Sequence, residues 1–247
     1  MNAAGGFEAS LDIKSGFAGL SGSITDSDYL NLDGVKTHFS KHDCYTERAL
    51  SIEARAGWPA ISTPRVTVAF LGFVDVLDYK WSARDGYLQY PSQTSAPYTP
   101  WSESTTKTRV VGTGIIYEQS YFSLGLMLDA RVMFSNLLSG TLAIGYSPIT
   151  VCNDVDNHLF TGVDYYETMS GGYHLHAGAS MNLDIKPDRH LVLGGSYRLI
   201  QGLVGNTKMV YTTEQQSVTP GTTYTFNNSG GASLAVFDIN LKLIFNL

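Results

Sequence analysis

The clearest periodicity in the chain lies near its C-terminal end. From Ser233 the odd positions include Ala235, Phe237, Ile239, Leu241, Leu243, Phe245 and Leu247, and the even ones Asp238, Asn240, Lys242 and Asn246. Alternation this strict predicts a strand with one apolar and one polar face. The pattern recurs upstream. Leu175, Ala177, Ala179, Met181, Leu183 and Ile185 alternate with His174, His176, Ser180, Asn182, Asp184 and Lys186. Near the start, Phe7, Ala9, Leu11, Ile13 and Phe17 alternate with Glu8, Ser10, Asp12 and Lys14. A helical stripe would space its apolar residues three and four apart, and these segments do not.

The segments predict about eight strands, near 7–24, 46–61, 65–88, 107–132, 135–152, 166–186, 189–205 and 231–247. Tight turns are expected at Ser62-Thr63-Pro64, Phe134-Ser135-Asn136 and Pro187-Asp188, and long polar connections over 25–45, 89–106, 153–165 and 206–230. Short turns at one end and long loops at the other predict an all-β, transmembrane antiparallel β-barrel with its loops outside the cell. One domain spanning 1–247 suffices, because a barrel of this length has no linker.

Composition sharpens this picture. Only 15% of residues are charged, where a soluble domain carries about 25%. No run approaches the roughly 20 apolar residues of a membrane helix. The net charge of -6 argues against nucleic acid, which needs a basic face. The Trp residues and many Tyr read as interfacial girdles. Met1 to Gly6 has neither a basic start nor an apolar stretch, so the natural N-terminus is expected upstream. Cys44 and Cys152 each lie beside an acidic stretch, either paired across the rim or as two free thiols.

The candidate chemistry sits in two stretches, Thr25-Asp26-Ser27-Asp28-Tyr29-Leu30 and Asn153-Asp154-Val155-Asp156-Asn157-His158. The topology brings both to the outer rim. Two carboxylates one residue apart point the same way on an extended backbone, and their shared field raises one pKa. Asp156 could orient His158, which would deprotonate a water held by the opposite carboxylates. Against this stands the ordinary use of Asp as a turn cap. Asp26, Asp28 and His158 could also hold a divalent metal, and His174 with His176 mimics a metal pair. Polar lumen residues explain the two histidines better, since no third ligand is suitably spaced.

These residues resemble the omptin family, aspartate/histidine endopeptidases of Gram-negative outer membranes. Asp26-Ser27-Asp28-Tyr29-Leu30 is similar to the family's acidic pair, Asp154-Val155-Asp156-Asn157-His158 to its Asp-x-Asp-x-His, and Ser40-Lys41-His42 to its Ser-Arg-His. Ser82-Ala83-Arg84-Asp85-Gly86 resembles its Thr-Ala-Arg-Gly-Gly, and Gly205-Asn206-Thr207 recurs in order. The resemblance implies catalytic Asp26, Asp28, Asp156 and His158, with Asp154, Ser40 and His42 binding substrate. It also implies cleavage beside basic residues, a monomer and no metal or organic cofactor. A lipid requirement, for lipopolysaccharide or another outer-membrane lipid, comes with the family.

Departures are visible. The family has ten strands, and the two extra ones would precede Phe7. Its lipopolysaccharide-binding strand carries Tyr, Glu and Arg on alternate positions, where this chain reads Val74, Val76 and Asp78. The alternative from another class is a non-enzymatic outer-membrane barrel, an adhesin or structural protein with an inactive rim of this kind. A pore fits less well, because His, Asp, Lys and Arg crowd the interior.

Overall fold

The computed structural model describes residues 6–31, 33–93, 96–186, 189–214 and 218–245. The Pro187-Asp188 turn and the closing Asn246-Leu247 lie outside them. The elements are β1 (Glu8–Ser15), β2 (Gly19–Asp28), β3 (His38–Ser62), β4 (Val66–Gln89), β5 (Thr108–Arg109), β6 (Thr113–Met133), β7 (Leu138–His158), β8 (Val163–Ser170), β9 (Tyr173–Lys186), β10 (Arg189–Tyr211) and β11 (Thr223–Phe245). They form one antiparallel sheet with the pairing path β1-β3-β4-β6-β7-β8-β10-β11.

Two staves are broken. β1 pairs with the lower half of β3 and β2 with its upper half, from Glu8↔Gly57 to Asp28↔His38. β8 and β9 both run between β7 and β10. Gly171 and Gly172 make that second break. Gly171 has φ +83°, and a Cβ on Gly172 would meet the Gln201 carbonyl oxygen at 2.2 Å. The first and last staves face each other through side chains, Lys242 on Asp12 at 3.4 Å and Lys14 on Asp238 at 3.8 Å.

Alternation decides what each face touches. Leu124, Leu126 and Leu128 on β6, Leu142, Ile144 and Ile149 on β7, and Phe237, Ile239 and Leu241 on β11 are exposed on the outer wall. An apolar girdle of this kind suits bilayer hydrocarbon. Above it the outer wall turns polar. Arg48 pairs with Asp78 at 2.6 Å and Glu118 at 3.1 Å, and Lys80 with Glu118 at 2.7 Å.

The inward positions fill the lumen. Ala69, Leu71, Phe73, Met127 and Ala143 form a lower apolar cluster, and Leu77, Tyr121, Cys152, Met169, Ile200 and Leu203 an upper one. Buried charges lie in the same lumen. Arg198 reaches Asp75 at 3.2 Å and Asp238 at 3.3 Å, and His176 reaches Glu53 at 2.9 Å. A lumen so filled is plugged rather than open. His174 and His176 belong to this layer, their rings parallel at 6.4 Å.

Two expectations need correcting, and one open choice is decided. The rim connections are shorter than the sequence suggests, at 29–37, 159–162 and 212–222, because β2, β3, β7 and β10 run on beyond the girdle. Above the bilayer no face meets lipid, so apolar alternation stops while the backbone ladder continues. The Trp residues do not form one girdle. Trp58 is exposed beside Phe7, but Trp81 stacks between Tyr79 and Tyr117, and Trp101 covers Lys36. Cys44 and Cys152 are free, buried thiols.

Candidate active site

The candidate residues therefore stand on strand ends rather than in loops. Asp26 and Asp28 close β2, held against β3 in the pairs Asp26↔Ser40 and Asp28↔His38. Both the backbone N–H and the hydroxyl of Thr37 donate to the Asp28 carbonyl, at 2.9 and 3.1 Å. Asp154, Asp156 and His158 alternate along the last turns of β7, so all three point to the same side. β6 and β8 flank them through the pairs Tyr117↔Asp156 and Asp156↔Tyr165.

Asp26, Asp28, Asp154, Asp156 and His158 line one cavity of about 430 Å³. Its two walls come from strands far apart in sequence. The Asp156 Oδ2 lies 2.9 Å from His158 Nε2, and the Tyr165 ring stands edge-on to the imidazole at 5.2 Å. Asp156 Oδ1 is buried with no hydrogen-bond partner. That orphaned acceptor is one a substrate or water could satisfy.

Electrostatics separate the carboxylates. Burial, reinforced by the charge of Asp26 and opposed by His158, pushes Asp28 up to about 6. For His158 burial acts downward, yet the bond to Asp156 and the charges of Asp156, Asp26 and Asp28 outweigh it and raise the imidazole above its ordinary value. Burial chiefly, with Asp28 nearby, raises the Tyr90 and Tyr165 phenols to about 12, so both stay protonated. A cavity collecting several such shifts is a candidate site on physical grounds.

Asp154 sits deeper, 3% exposed. Gln119 donates to its Oδ2 at 2.9 Å, and Tyr121 donates to Gln119 at 2.8 Å. Burial raises Asp154 to about 6; Tyr117 and Gln119 oppose the rise, and Glu167 and Asp156 add to it.

Ser40 and His42 occupy a different place. Both are buried on β3, and His42 Nδ1 lies 2.6 Å from the carbonyl oxygen of Asp85, a residue at φ +56°. Neither lines the cavity. Ser40 is the ladder partner of Asp26, and His42 contacts the turn at Asp85-Gly86. Sequence reasoning missed Tyr117, Tyr165 and Glu167, which also line the cavity. Only the strand register marks them: Tyr165 and Glu167 sit two apart, opposite Asp156 and Asp154 across the β7–β8 hairpin. Thr207, seen only as part of Gly205-Asn206-Thr207, lines the same cavity. Among the described residues no group of three or more His, Cys, Asp or Glu is arranged to hold a metal.

The Omptin family model matches residues 8–247. The chain belongs to the omptin family. Its fold is similar to the crystal structure of the outer membrane protease OmpT from Escherichia coli, with a TM-score of 0.82 at 15% identity, covering 97% of this chain and 78% of that one. No curated protein matches the chain in sequence. An omptin is therefore recognisable here through its family pattern and its barrel, at an identity too low to carry single residues across.

Proposed function

We propose that this omptin is an outer-membrane endopeptidase that hydrolyses peptide bonds beside basic residues with a water activated between two side-chain couples. Membership of the family and the OmpT-like barrel support an outer-membrane protease of omptin type. The observation that carries the finer reading is the convergence of Asp26 and Asp28 with Asp156 and His158 on one cavity.

In this reading the water sits between the couples, and Asp26 and Asp28 accept a hydrogen bond from one of its hydrogens. His158, oriented by Asp156, takes the other proton as the water oxygen bonds to the peptide carbonyl carbon. The carbonyl π electrons move onto oxygen. When that intermediate collapses, the C–N bond breaks and His158 returns its proton to the departing amine. No covalent enzyme intermediate forms. Asp154, at the cavity floor, receives the basic side chain beside the scissile bond. The rim faces the cell exterior, and bilayer lipid rather than a metal is the environment the site needs.

The test uses chain refolded in detergent, with and without lipopolysaccharide. Folding is checked by heat-modifiable gel mobility, and cleavage by a quenched peptide containing Arg-Arg or Lys-Arg. Cleavage that disappears in His158→Ala supports the protease. A folded barrel that cuts no such peptide in either lipid condition sinks the reading and favours a non-enzymatic surface barrel.

A further inference from the structure

The cavity holds more negative charge than the two couples require. Asp26, Asp28, Asp154, Asp156 and Glu167 line it, His158 is the one base among its lining residues, and no Lys or Arg lines it. Asp154 and Glu167 are direct partners across the β7–β8 ladder, and directly opposed like charges oppose folding. Glu167 is nevertheless held in place. Thr207 donates to its Oε1, at 2.5 Å, and Ser229 donates to Thr207 at 2.8 Å. On the other side Gly230 leaves room for it: a Cβ there would lie 3.0 Å from the carboxylate carbon and from Oε2. Its Oε1 is thus fixed by protein while Oε2 accepts no hydrogen bond from the described residues.

We propose that Glu167 is a specificity-determining residue, the second carboxylate that, with Asp154, grips the cationic side chain of the substrate. This rests on the proposed function for the location of the scissile bond, but the grip itself is a property of binding. Two carboxylates brought together with no protein cation between them need a cation to offset their repulsion. A planar guanidinium, which can donate to both at once, fits better than the point charge of an ammonium. Thr207 and Gly230 act as positioning residues, setting where the Glu167 carboxylate stands.

The test separates binding from cleavage. On the refolded His158→Ala barrel, calorimetry would compare a short peptide carrying Arg with the same peptide carrying citrulline. Glu167→Gln is expected to weaken the Arg peptide about tenfold and to leave the citrulline peptide within about twofold. Thr207→Val, which keeps the charge but frees the carboxylate, should give a smaller loss confined to the Arg peptide. Arg-peptide affinity unchanged by Glu167→Gln, or weakened equally for both peptides, overturns the assignment. Failure of the protease reading would instead appear as no cleavage of either peptide by the chain with His158 intact, and leaves this binding result standing on its own.

Discussion

His158 Nε2 stands 2.9 Å from Asp156 Oδ2, at the end of a strand whose neighbours on both sides are hydrogen-bonded to it. The carboxylate is thereby both a tether and a charge. The tether fixes the ring, and the charge holds the imidazole above its ordinary value against the burial that lowers it. A base must be neutral to accept a proton, so activity should rise with pH as His158 deprotonates. Asp156→Asn keeps a hydrogen-bonding group and removes the charge. We expect the acid limb of kcat/KM to move down by about one pH unit, together with a lower plateau. A limb that stays in place while the plateau falls would mean that His158 is not the titrating base.

Asp28 carries a cost of the same design. Its carboxyl is raised to about 6 because burial and Asp26 disfavour its ionised form. The folded pKa exceeds the unfolded one, so the group favours the folded barrel at low pH. That contribution is lost between about pH 4 and 6. Above pH 6 the ionised Asp28 costs stability. Asp28→Asn should then stabilise the barrel at neutral pH by about 1–2 kcal/mol, discounted for partial solvent screening, and not below pH 4. Activity should fall by several orders of magnitude, on the order of 10³ or more. Urea midpoints at the two pH values, read beside peptide cleavage, check both halves.

The lumen makes a different demand. Arg198 is 3% exposed and faces Asp75, Asp238 and Glu53 at 3.2, 3.3 and 3.8 Å. Replacing it with Met leaves buried carboxylates without their cation. The expected loss is about 3–5 kcal/mol of stability, seen as a lower urea midpoint with the site geometry intact. Adding Asp75→Leu to Arg198→Met should recover part of that loss. An Arg198→Met barrel as stable as the original would mean that water, rather than the guanidinium, compensates Glu53 and Asp75.

The staves were legible where lipid imposes a rule. Each lipid-facing position must be apolar, so Leu124, Leu126 and Leu128 or Phe237, Ile239 and Leu241 announce the strand and its outward face together. Above the girdle that rule lapses. Asp154, Asp156 and His158 continue β7 as an ordinary ladder with water on hand, and polar alternation looks like loop sequence. The two acidic stretches were visible as motifs, and the strand count assigned them to one rim. What no periodicity could reveal was the share of the cavity lining that β8 supplies. Glu167 and Tyr165 acquire meaning only through the register that sets them opposite Asp154 and Asp156. His42 shows the converse. Its motif was legible in the sequence, but that the ring lies buried against the Asp85 carbonyl, off the cavity lining, was not.

If Asp154 receives the basic side chain, substrate recognition should depend on pH separately from catalysis. Its carboxyl is raised to about 6, by burial first, with Glu167 and Asp156 adding to the rise and Tyr117 and Gln119 opposing it. A cationic side chain interacts with the ionised form. Below pH 6 the protonated carboxyl offers it a dipole instead of a charge, so KM for an Arg peptide should climb as pH falls. A citrulline peptide gains nothing from the ionised carboxylate, and its KM should stay nearly flat over the same range. The His158 limb appears in kcat for both peptides, which keeps the two titrations apart. Gln119→Leu removes the amide that donates to Asp154 Oδ2 at 2.9 Å, a bond that favours the charged form. The KM transition for the Arg peptide should then move to higher pH, with the kcat limb unmoved. If KM for the Arg and citrulline peptides changes in parallel with pH, Asp154 is not the group that holds the cation.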